Sequence, residues 1–244
     1  MFAVWEGSPH RATRDIDLLG LLAGEEHVLR EAFGEICAAA VEPDGLVFDG
    51  ATMRFTTIRE REAYAGTRLK MIARLSTAQL PVQVDVGFGD AVTPAPERVT
   101  LETILDFPAP VLRAYPMPTV IAEKVHAMVS LGFRNSRMKD LLDVSILAER
   151  FDMDGATLVE AIRATAVRRA TVLPDALPAP LVQGFVEDRE KQMQWSSFIS
   201  RNRLVAGSLG EVVAALRRFL AEPYLAAARG EPFAKHWPAG GAWG

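Results

Sequence analysis

Apolar and polar residues alternate in three short runs of the first half of the chain, Thr52–Ile58, Arg68–Leu75 and Val82–Val86. A period of two sends successive side chains to opposite faces, so these runs predict strands. Ahead of them, Gly24–Ala40 sets Val28, Leu29, Ala32, Phe33 and Ile36 at helical spacing. The segment 11–19 reads as a further strand, with Asp15 and Asp17 on one face and Ile16 and Leu18 pointing into a core. Beyond residue 110 the texture changes, and Pro116-Met117-Pro118 punctuates the chain. Thr119 is expected to cap a helix that carries Ile121, Val125, Met128 and Val129 on one side and stops at Gly132. Further helices are predicted over Asn135–Arg150, about Gly155–Ala170, Leu181–Ser200 and Leu209–Leu220, with Pro174, Pro178 and Pro180 marking a loop. The expected fold class is α/β (α+β), with a mixed-sheet domain over residues 1–115 and a helical lobe over 116–244. The segment Glu231–Gly244 is expected either to pack on the body or to fray; Trp237 and Trp243 suit packing, and stacking on bases is the other use open to them.

Composition narrows the class. With 244 residues, 49% hydrophobic and 24% charged, the chain can bury a core or two. No run approaches the roughly 18–20 apolar residues a membrane helix needs. Met1–Arg14 also lacks the basic start of a signal peptide, so a soluble protein of the cytoplasm with no membrane partner is expected. Cys37 is the only cysteine, which excludes an intrachain disulfide and a cysteine-based zinc site. The formal net charge of −4 removes a global positive field, so any polyanion site must be local.

Three constellations carry candidate chemistry. Asp15 and Asp17 place two carboxylates within reach of one cation, and like charges that close call for positive charge between them. Asp85 stands in an otherwise apolar run, where a buried carboxylate is costly without a cation or donors. Three carboxylates from two strands are suited to metal-assisted phosphoryl transfer; a solvated acidic edge and a strand-ending Asp are the plainer readings. Downstream, Glu123-Lys124-Val125-His126 precedes a segment in which Arg134, Arg137 and Lys139 crowd a helix start, and Asp140 and Asp143 share one face at i, i+3. Lys124 offers either a point charge for phosphates or a surface lysine opposite the apolar stripe. His126, without a partner at ligand spacing, reads as a hydrogen-bonded, partly buried residue.

Together, Arg11-Ala12-Thr13-Arg14-Asp15-Ile16-Asp17, Val84-Asp85-Val86, Ile121-Ala122-Glu123-Lys124 and Arg137-Met138-Lys139-Asp140-Leu141-Leu142-Asp143 resemble the AbiEii toxin-type nucleotidyltransferases, a branch of the polymerase-beta-like superfamily, over about residues 1–220. The resemblance implies a two-lobed enzyme, a polymerase-beta-like mixed sheet bearing metal carboxylates followed by a helical lobe. It implies Asp15 and Asp17 as metal ligands, with Asp85 as the superfamily's third carboxylate, holding Mg²⁺, two ions in the usual case. Lys124 would contact the nucleotide phosphates, and Asp140, or as second choice Asp143, would be catalytic. Arg11, Thr13, Arg14, Arg137 and Lys139 complete the candidate phosphate-binding set. The implied function is a toxin that transfers a nucleotide from an NTP to RNA, foremost tRNA, opposed by a winged-helix-like antitoxin. A protein or small hydroxylated acceptor, and a catalytically inactive homologue, are the alternatives. One departure stands: the family's Gly-Gly or Gly-Ser turn would fall at or before Met1, and Gly7-Ser8, the only such dipeptide ahead of the pair, sits too close to Asp15. A Gly-rich turn encoded upstream is the expectation, with Phe2-Ala3-Val4-Trp5 as the tail of the helix that follows it.

Overall fold

Alternation becomes a sheet of four strands, β1 (Ile16–Gly20), β2 (Leu46–Glu60), β3 (Tyr64–Leu75) and β4 (Ala78–Phe88), standing in the order β1-β4-β3-β2. The computed structural model describes residues 4–5, 15–22, 24–60, 64–103 and 106–244. Contacts gather them into two units: the described residues of Ala12–Asp90 with Thr103–Ala109, and Ala91–Glu102 with Pro110–Gly244, against whose core Trp5 packs.

In the first unit β1 runs parallel to β4, and the other neighbours are antiparallel. A two-residue turn at Ser76-Thr77 joins β3 to β4, with Leu75 paired to Ala78. Helix α1 (Glu26–Ala38) lies against β2. Its Leu29 and Phe33 close a core with Met53, Leu69, Met71, Val84 and Val86, the inward-facing set that period-two strands supply. Two expectations are corrected here. Ile16 and Leu18 do not enter a core: they are 52% and 45% exposed, because β1 is an edge strand while α1 covers the β2 side. Ile36 is 64% exposed as well. In the last turn of α1 it is Cys37 that meets the sheet, with Sγ 3.8 Å from Met71 Sδ, and burial pushes the thiol pKa up.

The second unit opens with an antiparallel pair, β5 (Glu97–Thr100) and β6 (Val111–Ala114), and continues as helices. These are α2 (Met117–Leu131), α3 (Met138–Arg150), α4 (Gly155–Arg168), α5 (Gln183–Glu187), α6 (Arg189–Asn202) and α7 (Leu209–Arg229). Their apolar stripes bury Ile121, Met128, Leu141, Leu147, Leu158, Ile162, Phe185 and Phe219 completely, roughly 1.5–3 kcal/mol for each such side chain. Gly132 ends α2 at φ 54°, as its position predicts. Thr119 is not the cap. It is buried inside α2, where its hydroxyl donates to the Thr93 carbonyl and accepts from the Thr93 N–H. Helix α3 starts at Met138 rather than Asn135, because the buried Asn135 side chain accepts the Arg137 N–H at 2.8 Å and holds a tight turn there. The predicted helix Leu181–Ser200 is broken at Asp188, whose carboxylate accepts the Glu190 and Lys191 N–H groups and starts α6 afresh.

Helix α7 runs nine residues past the predicted end at Leu220, through Pro223. Proline cannot donate to the carbonyl four residues back, that of Phe219. Trp243 supplies the missing donor, with Nε1 2.7 Å from the Phe219 oxygen. The aromatic tail therefore packs rather than frays. Trp237 is buried and donates to the Ala148 carbonyl at 2.7 Å, and β8 (His236–Trp237) pairs with β7 (Met153–Asp154). No helix among the described residues is long and apolar enough to cross a membrane.

Candidate active site

The sheet unit concentrates negative charge on one face. Alternation in β4 buries Val84 and Val86 under α1 and turns Asp85 the other way. The parallel register sets Asp17 of β1 beside Asp85, and Asp15 lies one residue ahead of the strand. Carboxylate oxygens of Asp15, Asp17 and Asp85 all lie within 4.8 Å of one another. Two oxygens on opposite sides of a Mg²⁺ ion, each about 2.1 Å from it, are about 4.2 Å apart, so small rotations bring this set of hard donors onto one ion. The three residues fit a divalent cation. A fourth residue belongs to the site: Arg68 of β3 faces Asp85 and holds it bidentately, with Nε 2.7 Å from Oδ1 and Nη2 2.6 Å from Oδ2. The hydrogen bond to Asp85, then the charges of Asp85, Asp15 and Asp17, raise the Arg68 pKa.

The helical unit contains the opposite arrangement, a closed ion network. Asp140 and Asp143, one turn apart on α3, are each 1% exposed. Lys124 of α2 is not a surface lysine; its side chain is 14% exposed, and Nζ donates to Asp140 Oδ1 and Asp143 Oδ2, both at 2.8 Å. Arg137 adds a second cation, its Nε 2.6 Å from Asp140 Oδ2 as an ion pair without an aligned hydrogen bond. Away from the Lys124 side of α2, Glu123 and His126 stand about one turn apart: Glu123 pairs with Arg169, and His126 Nε2 lies 2.8 Å from the Thr171 hydroxyl. That hydroxyl already donates to the Arg169 carbonyl, so His126 must be the donor, as its Nε2–H tautomer. Burial, helped by the Arg169 charge, brings the His126 pKa down to about 4.

Over residues 1–220 the chain matches the family described as nucleotidyl transferase AbiEii toxin, type IV toxin–antitoxin system. The chain belongs to the AbiEii family. The family is one of nucleotidyltransferase toxins, which implies a nucleotide substrate and an antitoxin partner. No curated protein matches the sequence significantly. Among solved structures, the crystal structure of JHP933 from Helicobacter pylori is similar at a TM-score of 0.48 and 13% identity, covering 90% of this chain and 78% of that one. A putative nucleotidyltransferase from H. pylori is similar at a TM-score of 0.48 and 13% identity, covering 94% and 86%.

Within this AbiEii chain the sequence-predicted residues fall into the two clusters just described. Asp15, Asp17 and Asp85 converge on the sheet face; Lys124, Arg137, Asp140 and Asp143 converge between α2 and α3. Lys139 is in the first turn of α3, facing a cleft toward α6. Arg11, Thr13, Arg14 and Gly7-Ser8 lie outside the described residues. Val4 and Trp5 carry helical backbone, while Phe2 and Ala3 are also outside. Arg68 and Arg169 were not among the sequence candidates. Arg68 had a usable signal: it lies seven residues before Leu75 and Asp85 seven after Ala78, so locating the Ser76-Thr77 turn pairs them by counting. Arg169 had none, because its partner Glu123 is brought to it only by the packing of α2 on α4.

Proposed function

We propose that this chain transfers a nucleotide from an NTP to RNA, with tRNA as the acceptor class, in a Mg²⁺-dependent reaction in the cytoplasm that a winged-helix-like antitoxin opposes. The observation that carries the reading is the convergence of Asp15, Asp17 and Asp85 on one sheet face of an AbiEii-family chain. In this reading the three carboxylates hold the metal, two ions in the full complex. Bound Mg²⁺ supplies neutralisation of the phosphate charge and activation of the attacking oxygen. Lys124 presents its ammonium to the nucleotide phosphates by exchanging one of its two carboxylate partners for a phosphate oxygen. The carboxylate so released, Asp140 by choice and Asp143 in its place, accepts the proton of the acceptor hydroxyl. Arg137 and Lys139, with Arg11, Thr13 and Arg14, add positive or hydrogen-bonding groups for phosphates.

Incubation with labelled NTPs, Mg²⁺ and total RNA tests the reading, and label in RNA is the expected result. Label confined to protein or to a small molecule overturns the acceptor, and no label in any fraction favours an inactive homologue. Asp15→Asn and Asp17→Asn are each expected to lower transfer by about a thousandfold, the loss of several kcal/mol of metal-borne stabilisation.

A further inference from the structure

Beside the Lys124 network, the helical unit has a cleft of about 650 Å³ between the start of α3 and the outer face of α6. One wall carries Ser136, Arg137 and Lys139, and the facing wall carries Arg201 in the last turn of α6. Among the described residues neither Lys139 nor Arg201 is held in an ion pair. Between these rims lie Met193 and the half-buried ring of Phe198, which packs tilted against Trp195 at 6.0 Å between ring centres. Gln194 and Ser197 add amide and hydroxyl groups. Glu190 is the single acid of the lining, and it accepts the Gln194 amide at 2.7 Å.

We infer that this cleft binds single-stranded RNA, two walls of cations receiving successive backbone phosphates while a base rests on Phe198 and Met193. The inference rests on the RNA-acceptor reading above and assigns that acceptor a place. Three points select a strand over an NTP. The cations are spread across two walls rather than focused on one point, which suits one charge per nucleotide and not a compact triphosphate. Glu190 on the α6 wall repels a highly charged group but tolerates a base edge that donates to it. An aromatic and a thioether side chain between basic rims form the stacking platform of a strand-binding groove. The cleft also shares Arg137 with the network, since that residue lines the cleft and its guanidinium pairs with Asp140, the partner of Lys124. A strand seated here lies one side chain from the residues proposed to act on its hydroxyl.

Fluorescence polarisation with a labelled single-stranded RNA of about ten nucleotides, alongside a fluorescent ATP analogue, tests this on the full chain. Arg201→Glu is expected to weaken RNA binding by about tenfold and to reduce the slope of log affinity against log salt by about one. Arg201→Lys, which keeps the charge, is expected to retain most of the affinity. RNA affinity within about twofold of wild type in Arg201→Glu, at an unchanged melting temperature, overturns the inference, as does the absence of saturable RNA binding by the wild type. A comparable loss of ATP-analogue affinity overturns it too, by making the cleft a nucleotide site. The labelling assay separates the two claims: transfer to RNA that Arg201→Glu leaves intact sinks the cleft alone, whereas RNA binding through the cleft without transfer sinks the acceptor reading alone.

Discussion

The two charged clusters use the same residue types to opposite ends. On the sheet, backbone register forces Asp17 and Asp85 side by side with Asp15 close behind, at a face that water reaches. On the helices, Asp140 and Asp143 are sealed from water, and the protein supplies the cations itself, Lys124 to both and Arg137 to one. The strand register holds the three carboxylates near one another with Arg68 on one of them, which leaves room for an exchangeable cation from solution. A buried carboxylate pair cannot wait for one, because each bare charge would cost several kcal/mol in the interior. Burial, more than residue identity, separates a cluster that pairs one carboxylate with Arg68 and leaves room for a cation from solution from one whose carboxylates are both neutralised from within.

The largest effect that tests this contrast is on stability. Lys124→Met leaves two buried carboxylates without their shared ammonium and is expected to cost about 3–5 kcal/mol in urea denaturation, whereas the exposed-face change Asp17→Asn is expected to shift stability by less than about 0.5 kcal/mol. Equal costs at the two positions would erase the distinction. Next, Arg68→Met removes the guanidinium that competes with a divalent ion for Asp85, so calorimetric titration is expected to give about tenfold tighter Mn²⁺ or Mg²⁺ binding, a gain near 1.4 kcal/mol. Weaker binding would make Arg68 a positioning residue for Asp85 instead. The smallest effect concerns His126, whose pKa near 4 in the folded chain lies below the ordinary 6.5. Between those values the unfolded chain holds a proton that the folded chain does not, so stability falls as pH drops from about 7 toward 4. Allowing for the partial solvent access of the ring, the loss is expected to be about 1 kcal/mol, and His126→Gln should flatten that part of the stability–pH curve.

The elements that position both clusters were readable from periodicity. Asp15 and Asp17 on one strand face, and Asp140 and Asp143 one helical turn apart, follow from periods of two and 3.6 alone. What periodicity does not carry is which face another element covers. Ile16 and Leu18 alternate like core residues, yet β1 stands at the edge away from α1, and they remain half exposed. Lys124 reads equally as a surface lysine until α3 packs beside it and supplies two carboxylates. The break at Asp188 was signalled by an Asp followed by Arg189 and Glu190, an N-cap pattern hidden inside a continuous amphipathic run. Arg201 came to face Lys139 only because that break redirects the chain into α6.

The bond from Trp243 to the Phe219 carbonyl sets an order of events during synthesis. Helix α7 has a gap in its own ladder at Pro223 that a residue twenty positions later must fill, and the core beneath it stays open until Trp237 arrives. The sheet unit draws on no described residue beyond Ala109. The ribosome therefore delivers a unit able to fold early, carrying the acidic face, and only at the end the unit that holds Lys124, Asp140 and Asp143. A nascent chain stalled before residue 237 would expose the cation-loading half of this protein without its self-neutralised half.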